Sequence, residues 1–282
     1  MENEKVCKNK SLEIIDNFLS NLEDHEKNTI KANSIEMRQY NLKKLVKIKN
    51  LTKEFKIKKE KIKVVDNLNL EIYKNQNIAL LGGNGAGKTT TVEMLIGILK
   101  PTSGNIEYYF NDGWSNHNES AQTNIGIQFQ DSSYPQGLSV NDVIYSMNKI
   151  YGNKSSPEEL QKLIKIFGVD EFINNKASSL SGGQHQRLNA LLAIINKPKL
   201  LILDELSTGL DIKIKTRLVS FLNDYIKEID CTLILISHDI NEIEILADRI
   251  IIMNKGRIVL DALKSEIIEK YGSISQCLKE YI

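Results

Sequence analysis

Glycine and proline are missing from the first 81 residues of this 282-residue chain, and only 4 prolines occur in all. That absence sets the early stretch apart from the glycine-bearing remainder. Cysteine is scarce and odd in number (Cys7, Cys231, Cys277), which argues against a disulfide framework. His25, His117, His185 and His238 are dispersed, so no zinc-ligand spacing forms. An excess of one charge is also lacking. Lys plus Arg number 37 against 36 Asp plus Glu, and a net charge of +1 disfavours a strongly basic nucleic-acid binder. No uncharged apolar run approaches the roughly 18–20 residues of a spanning helix. The start, Met1-Glu2-Asn3-Glu4-Lys5, has no apolar signal core, so a mature cytoplasmic chain is expected. What remains is 41% apolar and 26% charged, a globular profile with room for one large or two modest domains.

Residues 1–42 read as a polar, partly helical or disordered extension. Leu12, Ile15, Leu19 and Leu22 recur at helical spacing, Ile14 and Phe18 widen the stripe, and Ser11 is a candidate cap. Two readings stand: an accessory helix, or a docking helix for a partner. From Leu42 the pattern alternates. Val46 and Ile48, Phe55 and Ile57, then Ile62 and Val64 sit between lysines, as in half-buried antiparallel strands. Ten lysines fall between Lys43 and Lys63, and the alternation assigns most of them to the solvent face of a sheet.

Ile78-Ala79-Leu80-Leu81 ends at Gly82. A helical face of Val92, Leu95, Ile96 and Leu99 follows, stopped by Pro101. Leu200–Leu203 and Leu233–Ile236 are unbroken apolar runs, as expected of parallel strands buried on both faces. About residues 131–180 the chain turns polar and helical. The expected fold is therefore α/β: a mainly parallel sheet flanked by helices, an antiparallel β-subdomain and an inserted helical subdomain. The catalytic domain is expected over 43–262, with a helical tail at 263–282. Residues Phe110 to Glu119, with the single tryptophan Trp114, read as a polar surface loop.

Gly82-Gly83-Asn84-Gly85-Ala86-Gly87-Lys88-Thr89 matches G-x-x-x-x-G-K-[ST] between a strand and a helix, and Thr90 continues it. Glycines let the backbone approach a phosphate, and the N–H groups with the helix dipole favour the anion. Lys88 suits the β- and γ-phosphates, and the Thr89 hydroxyl suits Mg²⁺. Asp204 and Glu205 close an apolar strand, where α/β sheets place ligands. Asp204 fits the Mg²⁺ shell, and Glu205 is placed to activate a water. Leu180-Ser181-Gly182-Gly183-Gln184 stands before a helical face of Leu188, Leu191, Leu192 and Ile195, forming a second anion cap. One P-loop already serves its own nucleotide, so the second cap suggests a γ-phosphate arriving from elsewhere.

In order and spacing, the P-loop, the pentamer, Asp204-Glu205 and His238 resemble the ATP-binding-cassette (ABC) ATPases over roughly Leu45 to Leu260. The resemblance implies ATP and Mg²⁺ as ligands and two cassettes packed head to tail, each ATP lying between one P-loop and the other's pentamer. Gln130 resembles the glutamine that touches Mg²⁺ and the attacking water, whereas Gln128 has the wrong spacing to Leu138-Ser139-Val140. Ser207-Thr208-Gly209-Leu210-Asp211 resembles the segment crossing the dimer interface, and His238 the histidine on the γ-phosphate. Phe55 resembles the aromatic residue that stacks on adenine, although the alternation equally makes it a core residue. Tyr134 and Pro135 fall where the family meets its membrane subunit. Gly83 and Leu206 replace common prolines, and Asn75-Gln76-Asn77 replaces a glycine-bearing turn. None of these removes a catalytic group.

The resemblance implies an ATPase on the cytoplasmic face of a membrane. It would work with separate integral membrane permease subunits and a second cassette, identical or related, with no nucleic-acid partner. The short ending Ile267-Ile268-Glu269-Lys270-Tyr271-Gly272-Ser273 looks exporter-like. The alternative is a soluble ATPase of the same fold acting in translation, DNA maintenance or complex assembly. A purely structural ATP switch conflicts with Glu205 and His238.

Overall fold

The computed structural model describes residues 12–16, 18, 43–57, 60–111, 113–115, 123–128, 134–207 and 209–281. A six-stranded sheet forms its centre. The strands are β3 (Ile78–Leu81), β6 (Ile125–Gln128), β7 (Leu200–Asp204), β8 (Thr232–Ile236), β9 (Arg249–Asn254) and β10 (Arg257–Leu263), in the order β10-β9-β3-β8-β7-β6. All neighbours pair in parallel except the β9–β10 hairpin.

Alternation along these strands divides the core in two. Ala79, Leu81, Leu201, Leu203, Leu233 and Leu235 face one cluster with the helices. Ile78, Leu80, Leu200, Ile202, Ile234 and Ile236 face the other. Both faces are covered, so the interiors of β3, β7 and β8 are entirely apolar, the pattern of a buried parallel sheet. The second cluster is closed by a four-stranded antiparallel sheet of β1 (Lys44–Ile57), β2 (Glu60–Tyr73), β4 (Ser103–Asn111) and β5 (Gly113–Ser115), ordered β2-β1-β4-β5. Val46 and Ile48 are buried as their alternation requires, but the outer half of the hairpin, with Phe55 and Ile62, is exposed. Of the lysines there, Lys44 and Lys47 pair with Glu71, Lys49 with Glu107, Lys61 with Glu54 and Lys63 with Asp66. They form a solvated, internally compensated face.

Two expectations are corrected. The helix after the P-loop, α1 (Lys88–Leu95), is shorter than its apolar periodicity predicts. Ile96 caps it, and Gly97 turns with φ 80°, so Leu99 lies beyond the helix. The stretch Phe110 to Glu119 is not simply a polar loop. Phe110 is buried in β4 against Tyr108, and Gly113–Ser115 extend the antiparallel sheet as β5.

Between β6 and β7 the chain builds α2 (Val140–Ile150), α3 (Pro157–Ile166) and α4 (Gly182–Ile194). Each start is chemically marked. Ser139 with Asp142 and Ser181 with Gln184 form reciprocal capping boxes, and Ser156 caps α3 ahead of Pro157. Then follow α5 (Ile212–Glu228), α6 (Ile240–Leu246), α7 (Lys264–Tyr271) and α8 (Ile274–Tyr281). Helical residues 12–16 and 18 lie on α3 and α5. Ile15 is fully buried, Asp16 pairs with Lys162 at 2.6 Å, and the Phe18 ring meets Phe221 edge-on at 5.4 Å. The described part of the apolar face thus packs within the chain, as the accessory-helix reading expects. Leu19 and Leu22 lie outside the described residues.

Candidate active site

The carboxyl ends of three adjacent strands converge. β3 delivers the P-loop, β7 delivers Asp204 and Glu205, and β8 delivers Ser237 and His238. Gly82 leaves β3 with φ 149°, and a Cβ there would lie 2.3 Å from the Met253 carbonyl oxygen. Only glycine passes that point. Gly87 opens α1 in the left-handed region, directing the first helix turn toward Lys88 and Thr89. The Lys88 ammonium donates to the Gly82 and Gly83 carbonyls at 2.6 and 3.2 Å. Gly83 is half-buried and Asn84, Gly85 and Thr89 are exposed, so the loop backbone and the Thr89 hydroxyl are accessible to a ligand.

Burial lowers the Lys88 ammonium from its ordinary value, opposed by the charges of Asp204 and Glu205. The Asp204 carboxyl is raised, first by burial and then by the Glu205 charge, with Lys88 and His238 pulling the other way. These four groups therefore share one electrostatic field. The Thr89 hydroxyl and the Asp204 carboxylate are hard oxygen donors, the chemistry Mg²⁺ takes. Glu205 sits at φ 54°, and its N–H donates to the Ile236 carbonyl at 2.8 Å. A left-handed backbone at a non-glycine residue costs of order 1 kcal/mol or more, and it fixes where this carboxylate leaves the strand.

The pentamer heads α4. The Ser181 hydroxyl accepts from the Gln184 N–H, and Gln184 Oε1 accepts from the Ser181 N–H at 3.0 Å, leaving Ser181 and the Gly182 and Gly183 amides at an accessible helix start. Asp211 caps α5, accepting from the Ile214 N–H at 2.9 Å. Asp239 caps α6 and pairs with Lys215, which fixes the turn carrying His238. Phe55 is 37% exposed, facing Ile62 across the hairpin, with the Lys53 ammonium 5.2 Å from its ring centroid. Its place in a core is excluded. Gln130 and Thr208 lie outside the described residues. Gln128, which spacing set aside in favour of Gln130, is fully buried and donates from its Nε2 to Gln186 Oε1 in α4.

The ABC transporter family pattern matches residues 65–208. The chain belongs to that family. The cassette is 33% identical over 232 residues to the human phospholipid-transporting ATPase ABCA3, covering 81% of this chain and 13% of that protein. It is 33% identical over 229 residues to a spermidine/putrescine import ATP-binding protein, PotA, of Fusobacterium nucleatum, covering 80% and 59%. It thus spans less than two thirds of these curated relatives. Among solved structures, the dimeric bacterial ABC transporter cassette MJ0796 superposes with a TM-score of 0.68 at 27% identity, covering 78% of this chain and 98% of that one. A post-hydrolysis dimer of the same protein with ADP and Pi superposes with 0.67 at 28% identity and the same coverage. No helix among the described residues is long and apolar enough to cross a membrane.

Proposed function

We propose that this cassette binds and hydrolyses ATP as the motor subunit of a transporter, pairing head to tail with a second cassette and docking on separate membrane-spanning subunits. The convergence of Lys88, Asp204, Glu205 and His238 at the ends of three neighbouring strands carries the reading. The P-loop amides and Lys88 hold the β- and γ-phosphates, and Phe55 offers its exposed ring to the adenine. Thr89 and Asp204, with Gln130, would hold Mg²⁺, which neutralises charge on the phosphate oxygens. Glu205 takes a proton from water as the water oxygen bonds the γ-phosphorus. The bond to the β-phosphate oxygen breaks and ADP leaves. His238 donates to the γ-phosphate. Ser181, the glycine amides and Gln184 cap the γ-phosphate of the partner cassette, and Asp211 lies in the segment facing that partner.

The γ-phosphate then bridges two chains, and its loss reopens them, a ligand-biased two-state element. Binding at the cytoplasmic membrane face with a permease follows from this role. A phospholipid-transporting ATPase and an import ATP-binding protein both stand among the relatives, so substrate and direction belong to the membrane-spanning subunits. Glu205→Gln should keep ATP affinity within about twofold while lowering turnover by at least ~10²-fold. ATP titration and phosphate release test it, and unchanged hydrolysis would refute the catalytic assignment. Affinity capture from solubilised membranes tests the partner, and only ribosomal or DNA-bound partners would replace the transporter reading.

A further inference from the structure

The inserted helices share a buried cluster with the core, and residues 12–16 and 18 lie where the two meet. α3 belongs to the insert between β6 and β7, whereas α5 connects β7 to β8 and so belongs to the core. Asp16 pairs with the Lys162 ammonium of α3 at 2.6 Å, and Glu158 holds the same ammonium at 2.9 Å. Phe18 meets Phe221 of α5 edge-on, and Phe221 in turn meets Phe167, the residue that ends α3, at 5.9 Å and 83°. Ile15 is fully buried in the cluster that also holds Leu163 and Ile166 of α3 and Leu222 of α5. One short helical segment therefore grips both sides of the seam, by charge on the insert and by an aromatic contact on the core. It lies outside residues 65–208, which carry the family pattern.

The seam bears on head-to-tail pairing because each chain offers one half of an ATP site from either side of it. The P-loop, Glu205 and His238 stand on the core, and the Ser181 cap stands on α4 of the insert. α3 and α4 are joined near both ends. Arg187 donates to the Gly168 carbonyl at 2.9 Å, and Lys197 pairs with Glu159 at 2.8 Å, so a hold on α3 is a hold on the helix that carries the cap. A second cassette closes both ATP sites at once only when each cap keeps its distance from its own chain's P-loop. Freedom at the seam is lost on closure, and ordering of that kind weakens association. We propose that the segment of residues 12–18 is a strap that sets the insert on the core beforehand and so strengthens ATP-dependent pairing, without touching the nucleotide. The proposal rests on the head-to-tail reading above.

The test uses the full chain carrying Glu205→Gln, so that MgATP is bound and not consumed. Into it are placed Asp16→Lys, Ile15→Ala/Phe18→Ala, and Asp16→Lys/Lys162→Asp, which restores the pair with its charges exchanged. Amide exchange is followed at residues 157–166 without nucleotide, with β8 as the measure of global unfolding. Sedimentation gives the dissociation constant of the MgATP-bound pair. Asp16→Lys should speed exchange in α3 beyond any change in β8 and weaken pairing about threefold, with the monomer's ATP affinity within about twofold. The double truncation should weaken pairing at least ~tenfold, and the charge exchange should return both quantities to those of the parent. Exchange in α3 that follows β8 in the truncated chain overturns the strap. Faster exchange in α3 with unchanged or tighter pairing overturns its role in pairing. If the truncated chain does not fold, the charge reversal and its exchange decide alone, by the same two criteria. A Glu205→Gln parent that binds MgATP and stays monomeric instead strikes out the head-to-tail reading, and this proposal with it.

Discussion

Glu71 joins the strands of the antiparallel sheet through its carboxylate, accepting from the Lys44 ammonium and from the Tyr73 hydroxyl, both at 2.7 Å. These bonds, Lys44 first, hold the carboxyl well below the ordinary value of 4.5, at about 2. A lowered folded-state value means stability that is present above about pH 4.5 and lost as pH falls toward 2. Because Glu71 is partly solvated, the contribution after screening is about 1 kcal/mol. Glu71→Gln should therefore lose about 1 kcal/mol at pH 7, and the difference from wild type should close as pH approaches 2. Urea unfolding at several pH values reads this directly. At this scale the sequence named the phosphate-side residues because glycine spacing and paired carboxylates are rare and chemically loaded. It passed over Gln128 because polarity alone does not reveal that a residue is buried, and it left Phe55 between two roles because alternation cannot say how far a hairpin reaches beyond its core.

Strands β3, β7 and β8 were legible as elements because burial on both faces leaves only apolar residues between their ends. The edge strand β6 was not, since Gly126 and Gln128 interrupt its apolar run. Gly126 has a packing reason: a Cβ there would fall 1.9 Å from the Ala193 carbonyl oxygen of α4 and 2.9 Å from Pro198 Cγ. Backbone cannot yield as a flexible side chain does. Gly126→Ala should destabilise by about 2–3 kcal/mol and lower Tm by roughly 5–10 °C, measured by thermal unfolding. The early stop of α1 was missed because Ile96 and Leu99 keep helical spacing after the backbone has turned at Gly97. Likewise β5 was hidden in a stretch whose composition is that of a loop.

For the whole molecule, the layered order of parallel sheet, helices and antiparallel cover was readable from the change of period along the chain. What periodicity could not decide was where the amphipathic stretch near the start would lie. Its described residues lie on α3 and α5, where Asp16 and Phe18 meet helices more than 140 residues later in sequence. Ile15→Ala/Phe18→Ala should cost about 3–6 kcal/mol if the two truncations act independently, read as a lower Tm with ATP affinity at the P-loop unchanged. A variant that melts like wild type would show that these contacts contribute nothing to folding.

The left-handed backbone at Glu205 has a consequence for the history of this chain. Glycine or asparagine would sit at φ 54° with less strain than glutamate, so the backbone at this position does not itself favour a carboxylate. A substitution toward those residues would relax the backbone and remove the carboxylate that the proposed hydrolysis uses. Position 205 is therefore where a lineage released from hydrolysis is expected to drift first.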